Sequence, residues 1–570
     1  MNPTITRSIA AALILSSVCC LGPGCGSRKD APDYGGAYRR IASAAMALSV
    51  ELEPLRGSRL GITAADSLLF TYSEREIEGA LKRLKRLETQ LAKIPATGLS
   101  ERDVNHATVI IDWIRGARFA FEGLRSYQSS PMLYCWTAEE ALWGIPSRLT
   151  LPAGGEIESY RRRILLIPAL FSNGEANLRN PADWHVRHAI ERLDSIAAGL
   201  PELAALVEQR YGEPLEREIE AVRLSILGFR AFASEKLLPS SHGRIILGSE
   251  NLSKIFDYDE LINADPNTLI AEAEKQMKRL AIERGSIAKR IKLEKRNAPS
   301  GRSAAASTTI EPLESRIERI RGELAEKLAK DSISASLPGD RVILASPSRL
   351  AHIGQSGKAS YFSIPFAEER AVVPFILPFS APACRMQWAL SAAAARMNDD
   401  ELRFAFLSAT PDMLEAARLR CTAADSIAAL FPSATFEEGW RYLAVQTLVQ
   451  NIKKNDPELY LLILDDWIKK YARLVVVLAV HAGTKTSDGA AQYLVETLEV
   501  PRKEATGEVL AASVSPAIAY PAISMILIED MLENVSFVFR DDKPHRELAR
   551  LLREWRDVPL SLIIPKTKSD

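Results

Sequence analysis

The sequence predicts an all-α fold with a small extended or β segment near residues 342–379. Apolar residues recur at steps of three and four through most of the chain, which is the period of an amphipathic helix. Residues typical of helix starts precede several of these runs. Short apolar runs broken by prolines, which are typical of edge strands, are confined to 342–344, 361–366 and 372–379.

The clearest helix start is Ser73-Glu74-Arg75-Glu76, which has the spacing of a capping box. Leucines and isoleucines follow it at helical steps until Pro95, so one long amphipathic helix is predicted there. The same criteria predict further helices at 104–124, from 180 toward 199, from 265 to 296 and from 311 to about 330.

Composition limits the function classes. The chain has 570 residues and 47% hydrophobic content, enough for a large core in a globular protein. Lys and Arg total 72, as do Asp and Glu, so the net charge is zero. Because nucleic-acid binding relies on a basic surface, no nucleic-acid partner is predicted.

The first 25 residues are predicted to be a signal peptide with a lipoprotein-type cleavage site. A small and apolar run from Ser8 to Leu21 is too short to span a bilayer but suits a signal-peptide core. Gly24 precedes Cys25, which would carry the lipid, although Gly22 stands where a leucine is usual. Ordinary secretion or an uncleaved anchor remains the alternative. An exported, lipid-anchored envelope protein, periplasmic or at the outer membrane, is predicted.

The rest of the chain is predicted to form an N-terminal helical half at 26–337 and a C-terminal half at 338–570 that begins with the extended segment. The stretch 297–309 is small and polar without periodicity, so a flexible loop is predicted there.

Cysteines and histidines give no local metal motif. Cys135, Cys384 and Cys421 lie far apart and are predicted to be buried small hydrophobes. His185 and His188 share a helix face near Glu191 and could form half of a metal site, but solvated histidines on a charged helix are the favoured interpretation.

The order of several short motifs is similar to that of one bacterial family. Upstream these are Pro131-Met132-Leu133-Tyr134, Asn177-Leu178 with Pro181, Ala189-Ile190 and the stretch 256–280; downstream they are Glu438-Gly439-Trp440, Arg473-Leu474-Val475-Val476, His481, Glu508-Val509-Leu510 and Val558-Pro559-Leu560. They resemble the domain-of-unknown-function eight-eight-five family over about 33–570. That resemblance implies a large helical fold of the gluzincin zinc-peptidase type.

The resemblance also implies that the zinc site is lost. The family's His-Glu-Ala-x-Pro-Gly-His-His segment aligns with 407–414, where Leu407 replaces the first His, Ser408 the Glu, and Met413-Leu414 the closing His pair. Leu and Met side chains cannot replace imidazole as zinc ligands, and serine is a poor general base. No metal and no cofactor are therefore predicted, and a non-enzymatic protein is favoured over an enzyme.

The resemblance gives the remaining positions vestigial roles. Glu438 would occupy the position of a third zinc ligand, and His481 and Arg473 would line the former pocket, with Tyr361 at its edge. If the alignment holds, Leu407, Met413 or Leu414, Glu438 and His481 should lie within about 10 Å of one another. Alternatively, Glu437 and Glu438 only stabilise a helix N-terminus, and His481 is hydrogen-bonded inside a helical core.

Three function classes follow. The favoured one is a non-catalytic envelope protein that binds a peptide or protein in a helical cleft, or is structural. The second is a residual metal-independent hydrolase that uses Glu438, His481 and Tyr361. The third is an active zinc peptidase with unrecognised ligands.

Overall fold

The computed structural model describes most of the chain outside its first 32 residues and one central region. The described ranges are 33–147, 154–297, 430–539, 544–555 and 558–567, with the shorter pieces 315–316, 318–320, 322–323, 326, 342–345, 359–364, 385–391, 399, 403 and 427. Helices build the fold, and the predicted all-α class is confirmed.

The first group of helices packs around a small apolar core. It comprises α1 (Tyr34–Leu52), α2 (Pro54–Arg59), α3 (Glu74–Leu91) and α4 (Glu101–Phe119), which continues as a π-helical turn at Ala120–Leu124. The capping box predicted at Ser73 is confirmed, since its hydroxyl accepts from the Glu76 N–H at 3.3 Å and the Glu76 carboxylate accepts from the Ser73 N–H at 3.0 Å.

The second group forms a larger core. It comprises α5 (Ser126–Ser129), α6 (Pro131–Trp143), α7 (Glu156–Ile164), α8 (Ile167–Asn177), α9 (Asp183–Tyr211) and α10 (Glu216–Phe232). The sequence places the end of α9 near Gly199, which is wrong: the helix continues through Pro201 to Tyr211. Burial of Leu203 and Val207 offsets the hydrogen bond that the proline removes.

Two helices then join the C-terminal core. They are α11 (Ser249–Glu260) and α12 (Pro266–Asn297), and the start and end predicted for α12 are confirmed within one residue. Asp265 caps α12 by accepting from the Thr268 N–H at 3.0 Å.

A three-stranded sheet follows: β1 (Val342–Ala345), β2 (Ala359–Ile364) and β3 (Arg385–Ser391). β3 lies in the centre, parallel to β1 and antiparallel to β2, and Trp388 is paired with both Val342 and Tyr361. β1 and β2 fall within the stretch for which an extended segment is predicted, whereas residues 365–379 lie outside the described residues.

The C-terminal helices form the largest core together with α11 and α12. They are α13 (Ala434–Asn455), α14 (Pro457–His481), α15 (Ser487–Leu498), α16 (Arg502–Val514), α17 (Tyr520–Phe539), α18 (Pro544–Glu554) and α19 (Leu560–Thr567). Among the described residues no single helix has the length and apolarity of a membrane span, whereas the bent pair Arg502–Val514 and Pro516–Ser536, at 115°, passes by length and composition.

Phe431 and Ser433 mark the place where two cores meet. Phe431 packs in the core of the first helical group with Leu430, whereas Phe436, three residues after Ser433, packs in the C-terminal core. The connection between the cores is therefore short, and the cavity described next lies beside it.

Candidate functional site

A cavity of ≈ 370 Å³ lies between α4, the end of α11, the residues just before α13 and the first residue of α17. Its size falls in the range of small-molecule pockets. The described residues that line it are Glu53, Arg56, Val109, Asp112, Trp113, Gly116, Ala117, Ala120, Tyr258, Asp259, Glu260, Leu261, Phe431, Pro432, Ser433, Tyr520 and Pro559.

Glu260 holds the N-terminus of α13 at the cavity. Its carboxylate, only 2% exposed, accepts from the hydroxyls of Ser433 at 2.6 Å and Thr435 at 2.5 Å and from the Ala434 N–H at 2.5 Å. Burial raises the pKa of Glu260 to about 7, and these hydrogen bonds oppose the rise. Glu260 therefore acts as a cap contributed by another helix, with its oxygens already satisfied.

Asp112 lines the same cavity, but its buried carboxylate accepts fewer hydrogen bonds than that of Glu260. It is 7% exposed, and its Oδ1 lies 3.5 Å from Nη1 of Arg115. Its Oδ2 has no hydrogen-bond partner among the described residues, and neither has Nε1 of the neighbouring Trp113. Burial raises the pKa of Asp112 to about 7, while Arg115 lowers it and Asp257 raises it further.

The rim of the cavity carries two further polar pairs. The Tyr520 hydroxyl donates to Oδ2 of Asp259 at 2.7 Å. Arg56 donates to Glu53 at 3.0 Å and to the Leu430 carbonyl. Aromatic side chains complete the wall, with the Trp113 and Phe431 rings 5.1 Å apart. The lining thus combines carboxyl groups with aromatic side chains.

Glu438, assigned by the resemblance to a former zinc position, lies in the second turn of α13. Its carboxylate pairs with Arg441 at 2.8 Å and its side chain is 20% exposed. Glu438 does not belong to the described lining of the cavity, whereas Ser433, the N-cap residue of the same helix, does.

His481 and Arg473 lie on α14. His481 is fully buried, and its Nε2 lies 3.0 Å from the carbonyl oxygen of Ala512. Burial lowers the pKa of His481, with smaller opposing effects of backbone contacts to Ala512 and Ile245. Arg473 forms two hydrogen bonds of 2.7 Å with the Glu508 carboxylate. His481 is therefore held inside the helical packing, whereas Arg473 is partly exposed and paired with Glu508.

The solvated character predicted for His185 is wrong. It is 6% exposed, and its Nε2 lies 3.1 Å from Oγ of Ser513 on α16. Burial lowers its pKa to about 4, and the nearby His481 and His188 lower it further. α9 packs against the C-terminal helices at this point, which periodicity within α9 could not reveal. His188 instead contacts Glu191 at 3.0 Å, so the two histidines do not converge.

Several predicted positions lie outside the described residues: Cys25, Leu407, Ser408, Met413, Leu414, Cys384, Cys421 and the loop at 298–309. Tyr361 stands in β2. The expected approach of Leu407 to Glu438 therefore stays a prediction. Cys135 is buried without a disulfide, which confirms its prediction.

The described ranges contain no group of three or more His, Cys, Asp or Glu side chains arranged to hold a metal ion. The aligned zinc-motif stretch 407–414 is not among those ranges. The acidic cavity is therefore the site that the described residues offer, and its chemistry is that of carboxyl and aromatic groups.

Sequence reasoning missed Asp112, Asp259 and Glu260. Asp112 and Glu260 are buried in helices that also carry exposed acidic residues, such as Glu101 and Glu250, and Asp259 is itself exposed beside Glu260. Nothing in the local pattern separates a buried carboxylate from an exposed one. Only the pairing of α4 with α11 and α13 brings them together.

The resemblance to the family is confirmed over residues 54–334, which match the family of bacterial proteins of unknown function DUF885. This region contains the upstream motifs at 131–134 and 177–190 and ends before the aligned zinc segment. No curated protein matches the chain.

Two solved structures share the fold. One is a candidate lipoprotein of unknown function from Shewanella oneidensis, with 14% identity, a TM-score of 0.68, and coverage of 93% of this chain and 99% of that one. The other is a candidate lipoprotein from Colwellia psychrerythraea, with 14% identity, a TM-score of 0.65, and coverage of 93% and 98%. The likeness extends over nearly the whole length of all three chains.

Proposed function

We propose that this chain, whose residues 54–334 match a bacterial family of unknown function, is a lipid-anchored envelope protein that binds a ligand in its acidic cavity without hydrolysing it. The observation that carries the binding role is Asp112, a buried carboxylate in the wall of a ligand-sized cavity whose Oδ2 has no hydrogen-bond partner among the described residues. Such an oxygen costs about 1–3 kcal/mol, which a ligand that donates a hydrogen bond would recover.

The absence of hydrolysis is proposed from the aligned motif. Leu407 and Met413 stand where the family has imidazoles, and Ser408 stands where it has the catalytic glutamate. Zinc in proteins is bound by imidazole nitrogen, carboxylate oxygen or thiolate, and the Leu407 and Met413 side chains offer none of these.

The envelope location is proposed from the leader and from the similar structures. Cys25 follows an apolar run of signal-peptide length. The proteins of similar fold from Shewanella oneidensis and Colwellia psychrerythraea are both candidate lipoproteins. A lipid on Cys25 would anchor the chain through buried methylenes, each worth about 0.8 kcal/mol.

The residual hydrolase is the weaker alternative. A general base must reach a substrate within hydrogen-bond distance. His481 is fully buried with Nε2 directed at a backbone carbonyl, and Glu438 is paired with Arg441. Neither side chain lines the described cavity.

The test is zinc stoichiometry together with peptide hydrolysis on purified protein. We expect far less than one equivalent of zinc after dialysis and no chelator-sensitive cleavage of a peptide library. The matched variant Leu407→His, Ser408→Glu, Met413→His restores the motif and should gain zinc. Stoichiometric zinc in the natural chain would refute the proposal.

The anchor is tested by cell fractionation. Cys25→Ser should release the protein from the membrane fraction or stop its maturation, whereas Cys20→Ser, within the leader, should leave it anchored. Equal membrane retention of both variants would refute lipid anchoring at Cys25.

A further inference from the structure

Among the described residues that line the acidic cavity, no cationic side chain is free of an ion pair. Its described lining contains the carboxyl groups of Glu53, Asp112, Asp259 and Glu260 and the guanidinium of Arg56. Arg56 is already engaged, since it pairs with Glu53 at 3.0 Å and donates to a backbone carbonyl. The other three carboxyl groups therefore face the cavity without a lining cation.

Those three carboxyl groups differ in how well they are satisfied. Glu260 accepts three hydrogen bonds from the start of α13, and Asp259 accepts one from Tyr520. Asp112 has only a 3.5 Å contact to Arg115, and its Oδ2 accepts from no described residue. A buried acceptor in this state requires a donor, and a cationic donor provides the strongest hydrogen bond.

The walls beside Asp112 favour an organic cation. Trp113 and Phe431 lie with their rings 5.1 Å apart, and Tyr258 adds a third aromatic side chain to the lining. Aromatic faces attract ammonium and guanidinium groups and also bury the methylenes that carry them. Nε1 of Trp113 has no hydrogen-bond partner among the described residues, and its N–H could donate to a carbonyl oxygen of the ligand.

We propose that the cavity binds the cationic side chain of a lysyl or arginyl residue in a peptide, with the ammonium or guanidinium group on Asp112 and a peptide carbonyl on Trp113. This deepens the proposed function and rests on it. Asp112 and Trp113 are consecutive residues of α4 that both line the cavity. A cation and an acceptor on one ligand match Oδ2 of Asp112 and Nε1 of Trp113, which have no hydrogen-bond partner among the described residues.

Binding should be linked to proton release. Burial raises the pKa of Asp112 to about 7, so the empty site is partly protonated near neutral pH. A cation favours the ionised carboxylate and displaces the proton. The charged groups that face Asp112 or share its cavity are Arg115 on α4, Asp257, Asp259 and Glu260 on α11, and Glu53 and Arg56 before and in α2.

The test is isothermal titration calorimetry of the full chain in detergent. The probes are acetyl-Gly-Lys-Gly amide, the same tripeptide with norleucine in place of lysine, and the free diamine cadaverine. We expect affinity for the lysyl peptide to rise about tenfold from pH 6 to pH 8, as expected for one carboxyl group with a pKa near 7.

Variants locate the effect. Asp112→Asn should lower the affinity at pH 8 at least tenfold and remove its pH dependence, whereas Asp194→Asn, in a surface pair with Arg230, should change neither. Gly116→Leu places a neutral side chain in the cavity and should weaken binding at both pH values alike. Circular dichroism checks that each variant is folded.

The outcomes separate this inference from the proposed function. Cadaverine binding as tightly as the lysyl peptide would refute the peptide source and retain the cation. Equal binding of the norleucine peptide, or an unaffected Asp112→Asn, would refute the cation site while leaving a binding cavity. If none of the probes binds at pH 6 or pH 8, the cation site is refuted, whereas the zinc and peptide-hydrolysis measurements still test the proposed non-catalytic role independently.

Discussion

Gly439 gives the sharpest stability prediction, because it stands in the Glu-Gly-Trp motif and in a crowded part of the core. A Cβ atom at this position would lie 2.6 Å from Cδ1 of Leu560 and 3.1 Å from Cγ1 of Ile528. Alanine is favoured over glycine inside a helix by about 1 kcal/mol, whereas overpacking a core costs about 1–3 kcal/mol. Gly439→Ala should therefore lower the free energy of unfolding by up to about 2 kcal/mol.

Gly79→Ala is the matched control. Gly79 also lies in the second turn of its helix, but it is exposed, and a Cβ there would meet nothing within 4 Å. This variant should gain about 1 kcal/mol from helix propensity alone. Urea denaturation at pH 7 measures both, and the two variants should differ by about 1–3 kcal/mol.

A double-mutant cycle tests the cause. Leu560→Ala removes the clashing atom and by itself costs about 2–5 kcal/mol. In that background Gly439→Ala should become neutral or stabilising, because only the contact to Ile528 remains. If Gly439→Ala stabilises the natural chain as much as Gly79→Ala does, the packing argument for this glycine is refuted.

Two further predictions concern buried ionisable side chains. The pKa of His185 is about 4 in the folded protein against an ordinary value of about 6.5, so between these pH values only the unfolded chain binds the proton. The free energy of unfolding should therefore fall by about 3 kcal/mol as the pH drops through that range. His185→Gln, which keeps a hydrogen-bond partner for Ser513, should remove this part of the difference in urea denaturation between pH 7.5 and pH 4.5. Arg163 is 1% exposed and donates hydrogen bonds to Ser58 and to two backbone carbonyls. Arg163→Met should therefore lower the free energy of unfolding by about 3–5 kcal/mol, whereas Arg223→Met, at an exposed ion pair, should lower it by less than about 1 kcal/mol. Equal losses of stability in the two variants would contradict the argument.

Local signals in the sequence were sufficient for the helices whose ends are chemically marked. Ser73 and Glu76 form the capping box that their spacing predicts, and α12 begins at Pro266 after its Asp265 cap. The end of α9 was not predictable in this way, because Gly199 and Pro201 are local stop signals that long-range burial overrides.

The candidate site was harder to predict than the fold. His185 looks like a surface residue on its own helix and becomes buried only where α9 meets α16. Asp112 and Glu260 are 148 positions apart in the numbering of the chain and share a cavity only through helix packing. A family motif can align single residues, but it does not reveal which carboxylates a fold removes from water.

The two deeply buried carboxyl groups of the cavity have different roles: that of Glu260 is structural, and that of Asp112 is ligand binding. Glu260 is compensated, since three donors and the partial positive charge of the α13 N-terminus stabilise its ionised form. Its replacement would chiefly loosen the junction between α11 and α13. Asp112 has one long contact to a largely exposed arginine and an oxygen with no described donor, so the folded protein bears an energetic cost that packing alone does not explain. A cost retained at a cavity wall is what a binding site requires, because the ligand that relieves it gains the same free energy in affinity.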